Sequence, residues 1–234
     1  FYQIVHGMTE YIGRYDRFMN DMAEEGYICF GHDHLGHGNT ANDSSELGYI
    51  AHKGGFDILC RDVKSFSEAV FAEYKSCDGE RLPYYLMGHS MGSFVVRIAA
   101  EKYVKPDKLI VMGTGGANPA AGAGIAVIKL IKLIKGEKHI SPFVYKLAFG
   151  AYNSKFSNDA DFDEKSWLTT DVSVRQRYIN DSLCSFKFTV SAMGDLITLT
   201  KEANRKAGYR TVSISPFAER QRGESYRKGG RAYV

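Results

Sequence analysis

From Phe1 to Met112 short apolar runs take turns with longer stretches of helical spacing. The runs are Phe1–Val5, Tyr27–Phe30, Tyr84–Met87 and Lys108–Met112. Between them, Tyr15–Glu25 places Tyr15, Phe18, Met19 and Met22 on one helical face and stops at Gly26. Phe56–Tyr74 repeats Ile58, Leu59, Val63, Phe66, Val70 and Phe71 at intervals of three and four, and Met91–Tyr103 continues the pattern. Strands that alternate with helices of this length build βαβ units and a mostly parallel sheet flanked by helices. In such sheets functional residues gather beyond the carboxyl ends of the strands, where His6, Asp33 and Ser90 all fall.

One of these junctions carries chemistry. Gly88-His89-Ser90-Met91-Gly92 fits Gly-x-Ser-x-Gly and lies between a strand and a helix, which is the setting a nucleophile elbow requires. There the backbone N–H of Met91, at the start of the helix, can donate to an oxyanion. His6-Gly7-Met8 ends the first strand, and the Met8 N–H is the expected second donor. His6, Gly7 and His89 are expected to line the substrate site, with His89 packed beneath the serine and not acting as its base. His32, Asp33, His34 and His37 fit neither of the usual zinc spacings and read as a structural loop, so no metal and no cofactor is expected.

The chain has 234 residues, 24% of them charged, and a net charge of +3, which suits one globular domain and gives no reason to invoke nucleic acid. Cys29, Cys60, Cys77 and Cys184 form no C-x-x-C pair and read as free thiols of a reducing, cytoplasmic setting. From 115 to 200 the strand–helix alternation ends. Residues 117–135, 142–152 and 173–200 are helical in pattern, and Ile128, Leu130, Ile131 and Ile134 interleave with Lys129, Lys132 and Lys135 as in an amphipathic helix. This divides the chain into a core over 1–114, a helical cap over 115–200 and a basic tail over 201–234. The tail holds nine Lys and Arg against three Glu, and it is expected to be irregular.

Three ordered stretches carry a resemblance: Val5-His6-Gly7-Met8-Thr9-Glu10 with Gly13-Arg14-Tyr15, Asp33-His34-Leu35-Gly36-His37-Gly38-Asn39, and Leu86-Met87-Gly88-His89-Ser90-Met91-Gly92. They closely resemble the monoacylglycerol lipase and lysophospholipase branch of the α/β-hydrolases, the S33-type serine aminopeptidase group. The resemblance implies a partial α/β-hydrolase fold with a lipid-accepting helical cap, Ser90 as nucleophile, and Met8 and Met91 as oxyanion-hole donors. It implies hydrolysis of a small acyl-ester substrate through an acyl-serine intermediate. The lysine stripe of the cap's helix adds the expectation of transient contact with a membrane surface.

In this family the triad runs Ser, Asp, His along the chain. The last Asp here is Asp195, in a helical pattern at the end of the cap; Asp107 precedes its strand, and the last His is His139, within the cap. None fits the triad pattern, and residues 201–234 hold neither Asp nor His. The chain therefore reads as the middle of the fold, truncated at both ends or with an altered reading frame in the tail, and impaired in activity. His6 and His34 are the substitutes considered for the missing base. Without a base about 10³–10⁴ of rate enhancement over water remains. The alternative expectation is a catalytically inactive fragment that binds lipid or protein.

Overall fold

The computed structural model describes residues 1–74, 81–158 and 161–205. Four strands, β1 (Tyr2–Val5), β2 (Cys29–Gly31), β3 (Tyr85–His89) and β4 (Lys108–Met112), form a parallel sheet in the order β2-β1-β3-β4. In its register Ile4 lies opposite both Gly31 and Met87, and His89 lies opposite Met112. All four strands thus end at one edge, and Ser90 stands at the end of an inner strand.

The side chains of β1 alternate between two apolar layers, as period-2 geometry demands. Tyr2 and Ile4, with Met87, meet α1 (Asp16–Glu24) through Phe18, Met19 and Met22. Val5, with Leu86, faces the other way into the larger core. That core is covered by α2 (Gly55–Glu73) and α3 (Met91–Lys102), with Leu59, Val63, Val95, Val96 and Ile98 buried. The face expected on the first helix is the one that packs, and α1 gives way to Gly26 at φ +89°.

After β4 come α4 (Ala121–Lys135), α5 (Pro142–Phe149), α6 (Val172–Asn180) and α7 (Val190–Ala203). The stretch 115–200 holds no strand among its described residues, but two details differ from expectation. Residues 173–200 are not one helical stretch: Asp181 and Thr189, both extended, bracket a break between α6 and α7. Moreover α7 packs against α2 and α3 as well as α4, so the boundary drawn at 200 falls inside a layer of the core. Its buried Met193 and Leu199 join the same cluster as Val95 and Ile98. The helix also runs to Ala203, three residues into the stretch expected to be an irregular tail; residues 206–234 lie outside the described ones.

The apolar residues of α4 do not all serve one face. Ile128 is buried and Ile131 packs on the core, whereas Leu130, Leu133 and Ile134 are exposed. No described helix is long and apolar enough to cross a membrane. Cys29, Cys60 and Cys184 are free thiols; Cys77 lies outside the described residues.

Candidate active site

Gly88 and Gly92 have no room for a side chain. A Cβ at Gly88 would stand 2.3 Å from the carbonyl oxygen of Gly92, and one at Gly92 would stand 2.1 Å from that of Val5. The obstacles are backbone atoms and cannot swing aside. These close approaches let α3 leave β3 in a tight turn, and the turn forces Ser90 to φ 51°, ψ −116°. Such a conformation costs a residue with a Cβ about 1–3 kcal/mol and is characteristic of functional positions. It is held from both sides: the Ser90 N–H donates to Met112 O at 2.9 Å, and the Ser93 hydroxyl donates to Ser90 O at 2.5 Å. Met91 is the first residue of α3, so its N–H has no acceptor within the helix.

The loop after β1 lies against this elbow. A Cβ at Gly7 would be 2.6 Å from Glu10 Oε1, 3.1 Å from Ser90 Cβ and 3.3 Å from His89 O, so any side chain there would push the loop away from the elbow or displace Glu10. The peptide that carries the Met8 N–H is oriented from behind. His6 Nε2 accepts the His34 N–H at 2.9 Å, so its proton sits on Nδ1, which donates to Gly7 O at 2.8 Å. In a trans peptide C=O and N–H point in opposite directions, so this bond turns the Met8 N–H away from the His6 ring.

His6 was expected to line the substrate site. Its ring is fully buried and both nitrogens are engaged, so it contributes by fixing the loop and presents no surface to a ligand. The same facts remove it as a substitute base. His34 is equally buried, with Nε2 donating to His6 O at 3.2 Å, and is removed likewise. Burial holds both imidazoles below the ordinary histidine pKa.

His89 was expected beneath the serine. Its side chain is instead 42% exposed, with Nδ1 bound to Glu10 Oε1 at 2.9 Å and to the Tyr15 hydroxyl at 3.1 Å. Its Nε2 edge points toward Gly113, whose built Cβ would also be 3.7 Å from the Ser90 nitrogen. Glu10 is the residue that sequence reasoning missed as a site residue. It is buried, and burial alone would raise its pKa; the His89 hydrogen bond and charge, with the Gly7 N–H, outweigh that and lower it. Only its position three residues after Gly7 could have drawn notice, since Glu10 closes the turn by accepting the Gly7 N–H at 2.5 Å.

The remaining candidates stand elsewhere. Asp195 lies on α7 and accepts the Phe56 N–H at 3.0 Å, at the start of α2; burial raises its carboxyl to about 6. Asp107 accepts the Tyr84 N–H at 2.7 Å, ahead of β4. His139 sits in the turn after α4, where its carbonyl accepts the Val190 N–H at 2.8 Å. Asp33 stitches two loops, accepting from Ile12 N and Asn39 N, both at 2.8 Å. No three or more His, Cys, Asp or Glu among the described residues are grouped to hold a metal ion.

A strained serine at the carboxyl edge of a parallel sheet, with a glycine loop pressed against it, is the arrangement of the α/β-hydrolases. Within that class the serine aminopeptidase S33 profile matches residues 2–215, and the chain belongs to that family. A monoglyceride lipase homolog of monkeypox virus is 31% identical over 97 residues, which are 42% of this chain and 31% of that protein. Monoglyceride lipase of Mus musculus is 29% identical over 100 residues, 42% of this chain and 29% of its own length. The chain thus matches less than a third of the length of these curated relatives. Among solved structures, a highly thermostable carboxyl esterase from Bacillus coagulans, in complex with glycerol, superposes with a TM-score of 0.75 at 25% identity; the match covers 86% of this chain and 63% of that one.

Proposed function

We propose that this chain is a serine ester hydrolase for monoacylglycerol- or lysophospholipid-like acyl esters, working through an acyl-Ser90 intermediate. The observation that carries this reading is the forced backbone of Ser90 beside Gly7, in a chain related to monoglyceride lipases. In the first step the Ser90 hydroxyl oxygen attacks the ester carbonyl while its proton passes to a solvent water, which hands a proton on to the departing alcohol oxygen. The carbonyl oxygen becomes an oxyanion, held by the N–H groups of Met8 and Met91. Collapse expels the alcohol, which takes up a proton, and water then releases the acid from Ser90. No histidine hydrogen-bonds the Ser90 hydroxyl among the described residues, which supports a rate well below that of an enzyme with its base in place. The exposed Leu130, Leu133, Phe143 and Leu147, beside the exposed Lys129 and Lys135, support a cap whose α4 and α5 rest transiently on an anionic lipid surface.

That no described histidine reaches the Ser90 hydroxyl also favours a second reading, in which the chain binds lipid or protein without turnover. A fluorophosphonate probe separates the two. Covalent labelling that disappears in Ser90→Ala is the expected result. A folded chain that takes up no probe would support the binding module instead.

A further inference from the structure

We propose that Glu10 is the positioning residue that locks the oxyanion loop to the nucleophile elbow; this rests on the hydrolase reading of Ser90. One carboxylate oxygen, Oε1, receives three donors: the Gly7 N–H at 2.5 Å, the Tyr15 hydroxyl at 3.0 Å and His89 Nδ1 at 2.9 Å. Two of the three are chain neighbours of the reacting groups. Gly7 precedes Met8, the source of one oxyanion N–H, and His89 precedes Ser90. A single buried oxygen thus spans from the loop after β1 to the end of β3, across 79 residues of sequence. The third donor, Tyr15, ties the same point to the start of α1, and it also reaches His89 Nδ1 at 3.1 Å.

The geometry gives Glu10 a task that packing does not explain. The His6 ring fixes the Gly7–Met8 peptide by its carbonyl, as described above, and Glu10 fixes the preceding peptide by its N–H. Gly7 is therefore held on both sides, which matters because a residue without Cβ would otherwise explore many conformations. An oxyanion donor displaced by about 1 Å costs on the order of 10² in rate. Arg14 stands 4.0 Å from the other oxygen, Oε2, and leaves Oε1 to the three donors.

The test is the rate of fluorophosphonate labelling at Ser90 in the parent chain, Glu10→Gln and Glu10→Ala. Kinetics with a short p-nitrophenyl ester and hydrogen exchange at the Gly7 amide accompany it. Gln keeps a carbonyl oxygen for Gly7 but loses the charge, whereas Ala loses both. The expected order is parent above Gln above Ala, with Ala slowed about 100-fold and Gln about tenfold. KM should hold while kcat falls, and Gly7 exchange should quicken in the same order. The near-isosteric Gln variant keeps the test open if Ala does not fold. Labelling of the folded variants within twofold of the parent would overturn the positioning role and leave the hydrolase reading intact. So would a loss confined to KM. A parent chain that takes no label would overturn both.

Discussion

Ser90 shows how a single residue can be held in a conformation that costs stability. Its φ of 51° is imposed by the approach of Gly92 to Val5, not by anything the serine gains. Removing the hydroxyl does not relieve the backbone, because alanine keeps the Cβ that makes the conformation costly. Glycine does relieve it. Ser90→Gly and Ser90→Ala should therefore be equally unable to take up a serine-directed probe yet differ in stability. Relief of about 1–3 kcal/mol of strain, less about 0.4–1 kcal/mol for the added freedom of the unfolded chain, leaves Gly ahead by about 1 kcal/mol. Urea denaturation of the two variants measures the difference. A Gly variant less stable than Ala by about 0.4–1 kcal/mol would mean that the turn stores no strain at Ser90.

Among the elements, α6 matters more to the site than its distance along the chain suggests. The hydroxyl of Tyr178 donates to Thr9 O at 2.9 Å and lies 2.6 Å from Thr9 Oγ1. Thr9 has φ +53°, so the loop after β1 needs an outside hold at that residue. Tyr11 reaches Asp181 at 3.0 Å just past the same helix, and the Arg14 guanidinium lies 4.9 Å from the centre of the Tyr178 ring. Tyr178→Phe leaves a part-buried carbonyl without its donor and should cost about 1–2 kcal/mol, read as a lower urea midpoint. Neither this clamp nor the Glu10 hub was legible in the sequence. Both join residues whose types are ordinary, and only the folded chain puts position 178 beside 9, or 89 beside 10. What was legible rests on local rules. β4 has the expected bounds because a run of Leu, Ile and Val ends at Gly113; the elbow is legible because its five residues form one local pattern between strand and helix, in which Gly88 meets the Gly92 carbonyl, although the limit on Gly92 itself comes from Val5 and His6. The last helix was joined to its neighbour because the polar and apolar residues from 181 to 189 keep enough helical spacing to hide the break. Its place in the core is a tertiary fact: Asp195 reads as one more polar position on a helix, yet it caps α2 at Phe56.

On the scale of the whole molecule, the loop beneath the site makes the fold sensitive to acid. The rings of His6, His34 and His37 are fully buried with centroids 4.3–6.0 Å apart, and His32 lies 5.6 Å from His34. Phe66, Phe186 and Phe188 pack around them. Among the described residues, both ring nitrogens of His32, Nδ1 of His34 and Nε2 of His37 have no hydrogen-bond partner. Burial therefore lowers all four, His32 to about 4 and His37 to about 3, although Glu10 and Asp33 pull the other way on several of them. The folded state keeps these groups neutral where the unfolded chain already binds protons. Their stabilising effect is complete above an unfolded pKa of about 6.5 and declines as pH falls from there toward 4 and 3. A histidine contributes up to about 1.4 kcal/mol per pH unit to the decline while the pH lies between its folded and its unfolded value. Asp195 acts in the opposite sense, since a carboxyl raised to about 6 takes up its proton more readily in the folded chain and offsets one histidine between pH 6 and 4. Against a typical stability of about 5–15 kcal/mol, even one or two such histidines should lower the stability measurably as pH falls below 6.5. Urea midpoints followed from pH 7 to 4.5 should fall steadily. His37→Gln removes one titrating ring and should make the fall shallower by up to about 1.4 kcal/mol per pH unit, whereas Asp195→Asn should make it steeper. If neither variant changes the slope, the acid sensitivity arises from surface carboxylates and not from the histidine cluster.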